Sequence, residues 1–164
     1  MGMRRNALKA SNLGIDLKYY AILAEDYFKP QPPVCAAVAN ADEKSKICRY
    51  ILESLPDWFG NPSAIGDYCE YVRSEPMFAA YDIGKPIGFI AVKERNSHTA
   101  EIDAMGILPG YHRRGYGRAL VTAAEQFSVA QRRSFLLVKT LDYSSEYEPY
   151  ARTRKFYLEA LHGQ

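Results

Sequence analysis

Cysteine is scarce in this chain of 164 residues: Cys35, Cys48 and Cys69 are an odd number without metal-like spacing. They read as reduced, mostly buried thiols of a cytoplasmic protein, and no metal site is expected. Long apolar runs are missing as well. None approaches the roughly 20 residues of a membrane span. Met1–Arg5 is basic, but no apolar core of a secretory leader follows it, so no membrane partner is expected. Charge of one sign is also lacking: 21 Lys and Arg stand against 19 Asp and Glu, a net +2. That is too little to argue for nucleic acid. With 48% apolar and 24% charged residues, the composition suits one globular domain with a proper core.

What the chain does have is concentrated between Thr99 and Gln131. Glu101–Leu108 is mostly apolar, as suits a strand covered on both faces, and Pro109-Gly110 ends it. Gly115 and Gly117 then open a helix whose apolar stripe is Leu120, Ala123, Ala124 and Phe127. The first N–H groups of a helix lack internal partners and carry partial positive charge, so phosphates settle there. Glycines let a ligand lie against the backbone, and Arg113, Arg114 and Arg118 add cationic donors.

His112-Arg113-Arg114-Gly115-Tyr116-Gly117 resembles the pyrophosphate loop of the Gcn5-related N-acetyltransferase (GNAT) family, Q/R-x-x-G-x-G/A, with His112 in place of the usual Gln or Arg. Ala100-Glu101-Ile102 is similar to the start of that family's fourth strand, and Leu136–Thr140 to its fifth. Tyr150–Tyr157 is similar to its last helix, and Leu55–Gly60 to a segment of one bacterial branch. The resemblance spans roughly residues 45–161. It implies an α/β (α+β) acyl-CoA N-acyltransferase fold: a mixed, mostly antiparallel sheet, fourth and fifth strands splayed, helices on both faces. Residues 34–164 would form that domain, and 1–33 an extension of unclear role.

In chain order, Leu13–Phe28 suits a helix and Lys29–Pro33 a stiff break. Val34–Ala39 reads as a strand, then Glu43–Leu55 as a helix capped by Asn40 or Asp42. Ser63–Ser74 is a second helix. Phe78–Asp82 and Pro86–Glu94 form a hairpin. His98 sits in a turn and reads as a surface residue. Phe135–Thr140 is a strand, Asp142–Glu148 a loop, and Tyr147–Leu161 a helix with Pro149 in its first turn. Family members normally continue with two more strands, so the resemblance leaves one sheet edge open. Such edges invite pairing, and either a homodimer or the N-terminal arm is expected to cover it.

The resemblance also assigns chemistry. Acetyl-CoA is the implied cosubstrate, with Gly106, Ile107, His112, Arg113, Arg114, Gly115, Tyr116, Gly117 and Arg118 around it. A primary amine, on a small molecule or a peptide, is the implied acceptor. Trp58, Phe59 and Tyr68 are implied to line its site, though each also reads as a core aromatic. Glu101 is named as the base, its pKa raised by burial; it reads equally as a structural carboxylate paired with an arginine such as Arg154. Tyr157 is named as the acid that protonates the leaving thiolate, with Tyr150 in reserve. A backbone N–H near Met105–Ile107 would hold the oxyanion, with a bulge expected at Gly106. The transfer would be direct, without an acyl-enzyme. Three other readings stand beside this one: a CoA-binding domain without turnover, a dinucleotide site, which lacks the earlier glycine that motif wants, and nucleic-acid binding through the arginines, which the net charge opposes.

Overall fold

The computed structural model describes residues 33–140 and 147–162. The expected helix at Leu13–Phe28 lies outside the described residues, as does any cover that the arm provides. The chain divides into two units, 1–32 and 33–164, and the second carries everything below.

Five strands form one sheet in the order β1-β2-β3-β4-β5. They are β1 (Val34–Ala37), β2 (Met77–Asp82), β3 (Lys85–Glu94), β4 (Thr99–Ile107) and β5 (Phe135–Val138). The first four pair antiparallel, and β5 pairs parallel to β4. Between them run helices α1 (Ala41–Glu53), α2 (Pro62–Tyr71), α3 (Tyr116–Ala130) and α4 (Glu148–His162).

Local chemistry sets the helix starts. Asn40, of the two caps expected, accepts from the Glu43 N–H at 2.9 Å, satisfying one of the orphan donors of α1. Asp42 and Glu43 favour the positive end of its dipole. Asn61 caps α2 through the Ser63 N–H at 3.0 Å, with Pro62 at the first helical position.

The sheet is covered on both faces. On one, Ile47, Cys48, Ile51 and Leu52 of α1 and Ile65 and Cys69 of α2 pack on Ala79, Phe89, Ala91 and Ala104. On the other, Leu120, Val121 and Ala124 of α3 pack on Ala80, Ile90, Val92 and Ile102. Each large apolar side chain fully buried here stabilises the fold by about 1.5–3 kcal/mol. Cys48 and Cys69 are buried and Cys35 half-buried, all free thiols. No described helix is long and apolar enough to cross a membrane.

Two irregularities shape the sheet. Ala80 pairs with Gly88 but Tyr81 with Pro86, which makes Ile87 the extra residue of a bulge. Ala91 pairs with Ala104 but Val92 with Ile102, which puts a second bulge at Asp103. The bulge expected at Gly106 is therefore three residues earlier. Gly106 sits in regular register opposite Phe89. A Cβ there would lie 2.9 Å from Ile51 and 3.0 Å from Leu55, so the close approach of α1 is what glycine serves at this position.

Candidate active site

Strand β5 pairs with β4 only from Thr99↔Phe135 to Ile102↔Val138. Beyond Asp103 the two strands part, and a cavity of about 900 Å³ opens there. Its walls are Met105, Gly106 and Ile107 of β4, Val138, Lys139 and Thr140 after β5, and Thr153, Phe156 and Tyr157 of α4.

One end of this cavity is the loop between β4 and α3. Gly115 is the N-cap of α3 at φ 85°, without a side-chain cap. A left-handed residue is cheap only for glycine. Arg113 also takes a positive φ, 60°, so the loop carries two left-handed turns. No acid stands in the first turn of α3, so the dipole and the leading N–H groups are left for an anion. Gly117 is buried, and a Cβ on it would lie 2.9 Å from the Phe156 ring and 3.3 Å from Ile107. Here too the missing side chain is a packing requirement, one that seats α4 on the start of α3.

The cofactor residues named from the sequence divide into two groups. Gly106, Ile107, His112, Arg113, Gly115, Gly117 and Arg118 line the cavity. Arg114 and Tyr116 turn instead to Tyr111: the guanidinium stands 5.4 Å from that ring, and the Tyr116 ring meets it edge-on at 5.8 Å. Tyr111 itself donates to Asp82 at 2.9 Å. His112 donates through Nε2 to the Ile107 carbonyl at 2.8 Å and meets Trp58 edge-on at 6.3 Å. Arg118 donates to the Glu159 carbonyl at 3.2 Å, a second tie between the loop and α4.

Trp58, Phe59 and Tyr68 also line the cavity. The Trp58 indole N–H reaches the Thr153 hydroxyl at 3.1 Å and the Pro149 carbonyl at 3.3 Å, so the loop after α1 is fastened to α4. Phe59 and Tyr68 pack edge-on at 5.7 Å and also rest against the core.

Tyr157 lies against the splay. Its hydroxyl donates to the Met105 sulfur at 3.6 Å, a weak acceptor. Burial pushes its pKa up to about 12, so the phenol keeps its proton throughout the neutral range.

Glu101 differs from expectation. It is buried, its side chain 5% exposed, but it is paired with Arg95 at 2.5 Å and Lys139 at 3.2 Å. The Arg95 hydrogen bond outweighs burial and holds its carboxyl below the usual range, so the expected upward shift does not occur. Glu101 is not among the residues lining the cavity. Asp103, which sequence reasoning passed over, does line it. The signal was the bulge, which a sequence does not announce.

A five-stranded mixed sheet with a parallel β4–β5 pair that splays over a glycine-bounded helix start defines an acyltransferase-type fold. The sequence profile of the acetyltransferase (GNAT) family matches residues 22–158, and the chain belongs to that family. A putative GNAT-family acetyltransferase from Desulfovibrio desulfuricans superposes with a TM-score of 0.66 at 18% identity, covering 79% of this chain and 84% of that one. A ribosomal-protein-alanine N-acetyltransferase from Brucella melitensis biovar Abortus 2308 gives 0.59 at 15% identity, covering 78% and 89%. The aminoglycoside N-acetyltransferase AAC(6')-Iy, solved in complex with CoA, gives 0.59 at 16% identity, covering 80% and 89%. At these identities the likeness is one of fold. None of the curated proteins matches the chain.

Proposed function

We propose that this GNAT acetyltransferase moves an acetyl group from acetyl-CoA directly to a primary amine. The observation that carries the proposal is that one cavity is lined by the start of α3, by the parted strands β4 and β5, and by Trp58 and Tyr68. The diphosphate would sit on the leading N–H groups of α3, with Arg113 and Arg118 beside it. Pantetheine would lie along Met105–Ile107, where β4 has lost its β5 partner and main-chain groups are open to its amides.

In the transfer the amine nitrogen attacks the thioester carbonyl carbon. The C–N bond forms, the C–S bond breaks, and the amine's proton leaves to water. A main-chain N–H of Met105–Ile107 would hold the oxyanion. The departing thiolate takes the phenol proton of Tyr157, which then recovers one from solvent. Glu101 enters this reading as an anchor rather than a base, since its two cations tie β4 to the end of β3 and to the residue after β5. Three free thiols fit a cytoplasmic setting. A homodimer through the β5 edge fits the exposure of Phe135 (62%) and Leu137 (50%) on that strand.

The test is thiol release and thermal shift with acetyl-CoA across small amines, aminoglycosides and peptide N-termini. Acetyl-CoA should raise the melting temperature, and at least one amine class should drive CoA release. A chain that acetyl-CoA leaves unshifted would sink the reading.

A further inference from the structure

Of the two β4 carboxylates, Asp103 faces the cavity and Glu101 does not. Both of Glu101's oxygens are occupied by cations. Among the described residues, Asp103 forms no ion pair and no side-chain hydrogen bond. Arg95 and Lys93 both feel its charge, but their direct contacts go elsewhere, Arg95 to Glu101 and Lys93 to the face of the Tyr71 ring at 4.4 Å. Asp103 is also the extra residue of the β4 bulge. Bulges re-aim a side chain while bending the strand locally. Its charge is felt by Tyr68, whose phenol is pushed up first by burial and then by Asp103. The carboxylate therefore stands on the aromatic side of the cavity.

Asp103 lies two residues along β4 from Met105, whose sulfur accepts from the Tyr157 hydroxyl. A carboxylate there can hold an ammonium by a charge-assisted hydrogen bond. The held ammonium gives one proton to water, and the neutral amine then attacks the thioester carbon.

We infer that Asp103 is the carboxylate that receives and orients the protonated acceptor amine, and that the bulge in β4 exists to aim it into the cavity. The inference rests on the acetyltransferase reading and adds to it the group that selects the acceptor's ammonium.

The experiment uses the full chain and two probes. One is coenzyme A alkylated on sulfur with a short chain ending in a primary amine. The other carries the same chain ending in methyl. Titration of the wild-type protein should give about tenfold tighter binding of the amine-ended probe, the scale of one charge-assisted hydrogen bond. In Asp103→Asn that preference should fall to within about twofold, with affinity for coenzyme A unchanged. In Glu101→Gln and Asp103→Glu it should persist. Coenzyme A affinity serves as the check on folding. Equal binding of both probes by the wild type, or a preference that survives Asp103→Asn, overturns the inference and leaves the transferase reading intact. Failure of the wild type to bind coenzyme A at all removes the transferase reading, and the inference goes with it.

Discussion

The ring of Phe156 rests where Gly117 has no side chain, and a Cβ there would stand 2.9 Å from two of its carbons. The helix that follows the glycine loop and the helix that carries Tyr157 are thus fitted through one glycine. Gly117→Ala forces the Phe156 ring to move, an overpacking cost of about 1–3 kcal/mol. The expected outcome is a lower melting temperature together with roughly tenfold weaker acetyl-CoA binding, read by calorimetry. An unchanged affinity would mean that the two helices are not fitted in this way.

Tyr157 holds its proton because burial pushes its pKa to about 12. Tyr157→Phe keeps the ring and removes the donor. Transfer should slow by about a hundredfold, within the range of a positioned general acid. The dissociation constant for coenzyme A should stay within about twofold, because the hydroxyl's described partner is only the Met105 sulfur. Equal turnover by the variant would exclude Tyr157 as the proton donor.

Glu101 links its charge to stability. Its folded pKa lies below the usual carboxylate value because Arg95 and Lys139 favour the ionised form. Its contribution is therefore complete above the unfolded-state pKa of about 4.3 and is lost as pH falls through the lower folded value. Melting curves should show the wild type losing stability below about pH 4.3. Glu101→Gln should be less stable at neutral pH and show a shallower acid decline. Parallel decline in both proteins would mean that the pairs do not stabilise the fold.

Trp58 fastens the loop after α1 to α4 through Thr153 and Pro149. Trp58→Phe preserves the apolar surface but deletes the donor, at a cost of about 1 kcal/mol for such a bond. Amide exchange in residues 148–157 should quicken, while the buried strand β3 exchanges at its wild-type rate. No change in α4 would show that other contacts hold the helix.

The glycine loop before α3 was legible because its chemistry is local. Gly115 and Gly117 at the start of an amphipathic stretch after an apolar strand state a helix N-terminus that a ligand can approach, and the family resemblance rests on those letters. The helix cap Asn40, one of the two that the sequence offered, was of the same kind. The bulge was not legible. Gly106 looked suited to one, yet its glycine accommodates Ile51 and Leu55, and the extra residue is Asp103. Nothing in Ala-Glu-Ile says which cations will stand beside Glu101, since Arg95 arrives from the end of β3 and Lys139 from the end of β5.

The sequence by itself determined the order of strands and helices, the glycine-bounded start of α3 and the aromatic final helix, because periodicity, capping and turn chemistry act over a few neighbouring residues. Only the tertiary structure decided which carboxylate is ion-paired and which faces the cavity. Cross-strand register and ion pairing join residues far apart in the chain, and one extra residue in β4 separates the surroundings of Asp103 from those of Glu101.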